Sequence, residues 1–205
     1  TWERLTSMGA FVVLIGLLFN FSIDRSVVQP QDIAAALIWM TIIFVGMLGM
    51  GRTFQLEEQD SALTGILQSP IPLDALYLGK VLGNFVLLSV MVVLVFVVFT
   101  AFFNLRLAGN PYTLFGVVAL GVLGFVSLNT LFSAMATRSS MGESLLPVLV
   151  FPFLVPVVVY GTTATDRLFA GRPFAEVVGN LRMLGAFAIL FTVAGAVLFR
   201  FVVEE

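Results

Sequence analysis

VLGNFVLLSVMVVLVFVVFTAFF, residues Val81 to Phe103, carries no Asp, Glu, Lys or Arg. An α-helix needs about 20 apolar residues to cross a bilayer core of about 30 Å, and this run supplies them without interruption. It is far too long for a barrel strand, and an open strand would leave its backbone polar groups unpaired in lipid. The run therefore reads as a transmembrane helix. Five more apolar runs lie on either side of it: Ser7 to Ile23, Ile33 to Met50, Thr113 to Ala136, Leu145 to Tyr160 and Met183 to Phe199, none with an internal charge. Hydrophobic residues make up 60% of the 205 and charged residues 11%, with a mean hydropathy of +1.08. The implied fold class is an all-α integral membrane protein, one transmembrane domain over residues 1–205 with six spanning helices.

Much chemistry is excluded by what is missing. There is no cysteine and no histidine, so disulfides, thiolate nucleophiles, Cys/His zinc sites and a histidine general base are all absent. Gly79-Lys80 has neither the upstream glycine nor the following Ser or Thr of a phosphate-binding loop. This chain does not hydrolyse ATP through such a loop by itself. A net charge of −2 without a basic run gives no sign of nucleic-acid binding. The first apolar run is too long for a cleaved signal peptide, and Thr1 in place of Met suggests a short preceding piece. An even number of spans puts both termini on one side. Which side is left open by charge: Arg4, Arg52, Lys80, Arg138 and Arg200 fall on the side of the termini, and Arg25, Arg106, Arg167, Arg172 and Arg182 on the other.

The densest charge lies in Arg52 to Lys80, RTFQLEEQDSALTGILQSPIPLDALYLGK. Asp60 suits the N-cap of a short helix through Gln68, with Leu63, Ile66 and Leu67 on one face. Pro70 and Pro72 stop it, and Asp74 is placed to cap the helix that becomes the third span. Glu57, Glu58 and Asp60 form an acidic knuckle ahead of it. Two readings stand for this segment: a solvated loop whose charges keep it out of lipid, or a short amphipathic helix on a proline-stopped stem, stiff enough to transmit force. A second segment, Thr162 to Asn180, has Asp166 as a cap for one short turn ending at Gly171, and Pro173 opening another over Phe174 to Val178. It reads either as a pair of interfacial turns or as an ordinary surface loop.

The fifth run carries Pro147, Pro152 and Pro156. Each removes a backbone hydrogen bond, so a kinked helix that bends during function is expected. Small residues recur where helices would touch, among them Gly46 and Gly49, Gly79 and Gly83, Gly121 and Gly124, and Gly185 to Gly195. The polar side chains inside the spans, Asn20, Asn84, Ser89, Ser127, Asn129, Thr130 and Ser133, are few and uncharged. They read as interhelical hydrogen bonds rather than a transport path. No intramembrane carboxylate is present to relay protons or hold sodium.

LEEQDSALTGILQSPIPLDALYLGK (Leu56 to Lys80) resembles the cytosolic signature of ABC-2-type permeases: acidic residues, a short amphipathic helix, Ser-Pro and a return helix. Together with LVFPFLVPVVVYGTTA (Leu149 to Ala164), similar to a proline-punctuated fifth helix, it resembles more narrowly the heme exporter protein B (CcmB) family of cytochrome c maturation. The resemblance implies an ABC-2-type, type V exporter-like bundle in the bacterial inner membrane with both termini cytosolic. It makes residues 60–68 the coupling helix and puts residues 162–180 outside. It also implies a separate cytosolic ATPase (CcmA-like) that binds ATP, CcmC-like and CcmD-like membrane subunits, and heme or a heme-loaded chaperone as the cargo. Glu57, Glu58 and Asp60 would then meet basic residues of the ATPase, while Leu63, Ile66 and Leu67 fill its groove. An ABC core needs two such bodies, so a homodimer is expected, with the first and fifth runs in contact.

Heme iron takes His, Cys, Met or Tyr as axial ligand. Only eight Met and three Tyr are available here, so this chain is not expected to bind heme tightly itself. Two other readings compete: an ABC-2 permease for a drug or glycan, and a membrane scaffold that transports nothing and remodels a partner.

Overall fold

The computed structural model describes residues 2–24, 26–50, 72–137 and 142–204. Among these residues there are six helices and no strand: α1 Trp2–Ser22, α2 Pro30–Met50, α3 Leu73–Phe103, α4 Pro111–Thr137, α5 Gly142–Phe169 and α6 Phe174–Glu204. All six are long and apolar enough to cross a membrane. Their apolar residues are not confined to one stripe. On α3 the exposed face is Leu78, Leu82, Val86, Val90, Val93 and Val97, as expected where the surroundings are lipid rather than water.

The helices outrun the apolar runs that predict them. α3 begins at Leu73, eight residues before Val81, and the fifth and sixth helices take in most of residues 162–180. The expected short turns of that segment are in fact the end of α5 and the start of α6, joined at Ala170–Pro173. Asp166 caps nothing there: its carbonyl accepts from the amide of Ala170 inside a helix end. Gly171 takes φ +70°, and the Arg172 amide bonds the Arg167 carbonyl at 2.8 Å, which closes a Schellman-type terminus. Hydropathy marks what lies in lipid, whereas hydrogen bonding carries a helix on into the headgroups. Asp74 likewise is not the cap of α3. That place belongs to Pro72, which makes no side-chain cap bond, and Asp74 sits in the first turn, where a carboxylate favours the helix dipole. α5 is helical without a break through Pro147, Pro152 and Pro156.

α4 is the central helix and packs on α2, α3, α5 and α6, whereas α1 lies at the edge against α2 and α3. The interior is built by setting large aromatic side chains against glycines. Trp39 of α2 lies between Gly121 of α4 and Gly161 of α5, and a methyl group at Gly161 would come within 2.6 Å of its ring. Phe125 of α4 occupies the space beside Gly46 of α2, and Tyr77 of α3 the space beside Gly195 of α6. Trp39, Phe125 and Tyr77 are all buried. The connections α1–α2, α3–α4 and α5–α6 gather at one end of the bundle, and the two chain termini lie at the other.

Candidate functional site

Three regions hold the polar groups from which function must be built. The first is the acidic and amphipathic segment singled out by sequence. Glu57, Glu58, Asp60, Leu63, Ile66 and Leu67 all lie outside the described residues. On its C-terminal side stands α3, which runs without interruption from Leu73 through the whole membrane span.

The second region is the interior between α3, α4 and α6. The Tyr77 hydroxyl donates to the Ser127 carbonyl at 2.8 Å and approaches the Phe191 carbonyl at 3.4 Å, so one side chain of α3 reaches the backbones of two other helices. Its ring lies 5.6 Å from that of Phe199. Beside it Ser127 Oγ pairs with Thr192 Oγ1 at 2.8 Å, and Thr192 donates back to the Ala188 carbonyl. Two turns further along α3, Asn84 Nδ2 donates to Thr130 Oγ1 at 3.2 Å. The reading of Asn84, Ser127 and Thr130 as interhelical hydrogen bonds therefore holds. It does not hold for Asn129 and Ser133. Both are buried, yet among the described residues neither the Asn129 side-chain amide nor the Ser133 hydroxyl has a hydrogen-bond partner. A buried polar group left unpaired is costly, so these two side chains oppose the stability of the core. Tyr77 was missed by sequence reasoning, because a single Tyr in LDALYLGK has no local mark of burial.

The third region is the end of the bundle opposite the termini. A cavity of about 490 Å³ opens there between the start of α2, the α3–α4 connection and the end of α5. Gln31, Asp32, Asn104, Arg106 and Asp166 line its rim, and Leu105 and Phe169 lie among the apolar residues lining it. The walls are held by backbone bonds. The Gly109 amide donates to the Leu168 carbonyl at 2.8 Å, and a Cβ at Gly109 would sit 2.7 Å from that oxygen. Asn104 ends α3 in the left-handed region at φ 51°. Trp39 Nε1 donates to Thr165 Oγ1 at 2.9 Å and ties α2 to α5 just behind the rim. Arg167 bonds the Glu176 carbonyl and the Asn180 amide oxygen, and Asn180 donates to the Tyr160 carbonyl, which fastens α5 to α6. In the α1–α2 connection Ser26 donates to Asp24 from both its hydroxyl and its amide. These two bonds hold the Asp24 carboxyl below its ordinary range.

No group of three or more His, Cys, Asp or Glu that could hold a metal ion occurs among the described residues. Eight methionines and three tyrosines remain as soft or phenolic ligands. Met8, Met50 and Tyr77 are fully buried in helix packing, and Tyr77 already spends its hydroxyl on a backbone carbonyl.

The CcmB protein family matches residues 3–203, nearly the whole chain. Heme exporter protein B of Rhodobacter capsulatus is 26% identical over 162 residues, covering 77% of this chain and 72% of the relative. Heme exporter protein B of Pseudomonas aeruginosa is 24% identical over 182 residues, 89% of this chain and 81% of the relative. Heme exporter protein B of Escherichia coli strain K12 is 26% identical over 177 residues, 86% and 78% respectively. With six spanning helices, no strand among the described residues and a match along nearly its full length, the chain belongs to the CcmB family.

Proposed function

We propose that this chain is the permease subunit of an ABC-type complex that handles heme for cytochrome c maturation, and that its own part is mechanical. The observation that carries the reading is the family match over residues 3–203, together with relatives named heme exporter protein B. A mechanical role is supported from within the chain. It has no phosphate-binding loop, no His and no Cys, so nucleotide and tight iron ligation fall to partners. The helices are interlocked by side chains such as Trp39 and Tyr77, whose hydrogen bonds cross from one helix to another.

On this reading a cytosolic CcmA-like ATPase binds ATP, and CcmC-like and CcmD-like subunits share the membrane with two copies of this chain. Both termini face the cytosol of a bacterial inner membrane. Residues 60–68 form the coupling helix, with Glu57, Glu58 and Asp60 against basic residues of the ATPase and Leu63, Ile66 and Leu67 in its groove. α3, which continues from this segment, carries its motion into the bundle, and Pro147, Pro152 and Pro156 let α5 bend in response. The result of ATP use is export of heme or release of a heme-loaded chaperone.

The test is capture of the ATPase from detergent by the native chain and by a Leu63→Asp, Leu67→Asp double variant. Loss of capture by a variant that still inserts and folds supports the coupling helix. Unchanged capture sinks it. A sharp stoichiometric Soret band from the purified chain alone would overturn the purely mechanical role.

A further inference from the structure

The polar cavity at the loop end does not stand alone. Asp32, Ala36, Met40, Phe44 and Leu48 are all exposed on α2, where a spacing of four residues makes each the neighbour of the next along a row that winds slowly about the helix. On α5 the exposed residues Asp166, Val159, Val155 and Phe151 lie within one face. α2 and α5 pack against each other. Along that seam, about 12 Å deeper than Asp32 at 1.5 Å per residue, begins an apolar groove of about 250 Å³ lined by Met40, Phe44, Val155 and Val159 among others. One seam thus carries a charged cavity where the helices reach the membrane surface and an apolar channel where they run through lipid.

The charge of the cavity selects the head. Asp32 and Asp166 offer two carboxylates, Arg106 a guanidinium, and Gln31 and Asn104 two amides. Among the described residues none of these five side chains is engaged by a hydrogen bond or ion pair. A primary ammonium has three N–H donors for the carboxylates, and a phosphodiester matches the planar fork of the guanidinium. The walls are already in place, fixed by the Gly109–Leu168 backbone bond and by Trp39 on Thr165, so little ordering is lost on binding.

We propose that the α2–α5 seam is a binding site for an aminophospholipid, with its ethanolamine phosphate head in the cavity of Asp32, Arg106 and Asp166 and an acyl chain in the groove of Met40, Phe44, Val155 and Val159. The site stands whether or not heme is the cargo. Phosphatidylcholine lacks the N–H donors, and phosphatidylglycerol lacks the cation, so both are poorer ligands.

The experiment reconstitutes the chain in nanodiscs with equal amounts of phosphatidylethanolamine, phosphatidylcholine and phosphatidylglycerol, and counts the lipids retained by native mass spectrometry. The expected result is a preference for phosphatidylethanolamine of about ten-fold, the size of one charge-assisted contact. Asp32→Asn with Asp166→Asn should abolish that preference, and Arg106→Gln should lower phosphatidylethanolamine retention. All three changes are at exposed positions, and retained helicity verifies the fold. On the unaltered chain, a photoactivatable phosphatidylethanolamine should label the first turns of α2, the α3–α4 connection and the last turns of α5. Equal retention of the three lipids, a preference that survives the double change, or labelling elsewhere overturns the site. Free phosphoethanolamine that displaces the lipid at equal concentration would overturn the part assigned to the groove.

Discussion

Two pairs of glycines behave differently in the bundle. Gly121 of α4 and Gly161 of α5 close on the two sides of the Trp39 indole, so a side chain at either would strike the ring. Gly79 and Gly83 of α3, spaced as in a close helix contact, have no atom of another group among the described residues within 4 Å of the place a Cβ would take. The first pair is spent on packing within the chain. The second leaves a smooth strip on the outside of α3, beside Leu78, Leu82 and Val86. A small-residue spacing is thus evidence of close approach only when a bulky side chain elsewhere is present to use it.

The sharpest way to break this contrast is Gly121→Leu. Four heavy atoms driven into a filled slot should cost about 3 kcal/mol, at the upper end of ordinary overpacking, because Trp39 is also held by its bond to Thr165. Urea or SDS unfolding in detergent measures it, and a cost near zero would mean that the ring is not confined. Next in size is Tyr77→Phe. The ring still fills the space at Gly195 while the bond to the Ser127 carbonyl is lost, so a loss of about 1 kcal/mol is expected by the same unfolding measurement. Smallest, and opposite in sign, is Gly79→Ala. With nothing to strike, the added methyl should stabilise the isolated chain by about 0.5–1 kcal/mol through helix propensity. If it instead weakens assembly with partner subunits while the isolated chain gains, the open strip is a helix contact to another chain.

The six spans were legible because burial in lipid demands long uncharged runs, and each run named from composition is a helix in the structure. Their ends were not legible to the same degree. Leu73 to Lys80 contains Asp74, Gly79 and Lys80, so hydropathy stops at Val81 although the helix does not. Phe174 to Arg182 is hidden in the same way by Glu176, Asn180 and Arg182. Breakers did better: Pro111 is the first residue of α4, and Gly171 and Pro173 bracket the α5–α6 turn. Of the interior, Asn84 with Thr130 and Ser127 with Thr192 follow from the rule that polar groups in lipid seek partners. The pairing of Trp39 with Gly161, or of Tyr77 with Gly195, joins residues more than a hundred positions apart and leaves no local pattern. The rim of Asp32, Arg106 and Asp166 escaped for the same reason, since its members come from three separate parts of the chain. The proposed coupling residues, from Glu57 to Leu67, rest on their own pattern of charge and apolar spacing.

The length of α3 has a further consequence. Its 31 residues make a rod of about 46 Å at 1.5 Å per residue, against a hydrocarbon core of about 30 Å. Such a rod is longer than that core is thick, and its first residues, Leu73 to Lys80, lie at the end that bears the termini. Tyr77 grips it about one turn from that end, against the backbones of α4 and α6. A push on the tip therefore acts on a lever with its fulcrum close to the applied force, and the far arm sweeps the greater arc. Turning such a rod through about 10° carries one end roughly 8 Å relative to the other. Small strokes at the surface would be magnified where α3 ends, beside the α3–α4 connection that walls the charged cavity.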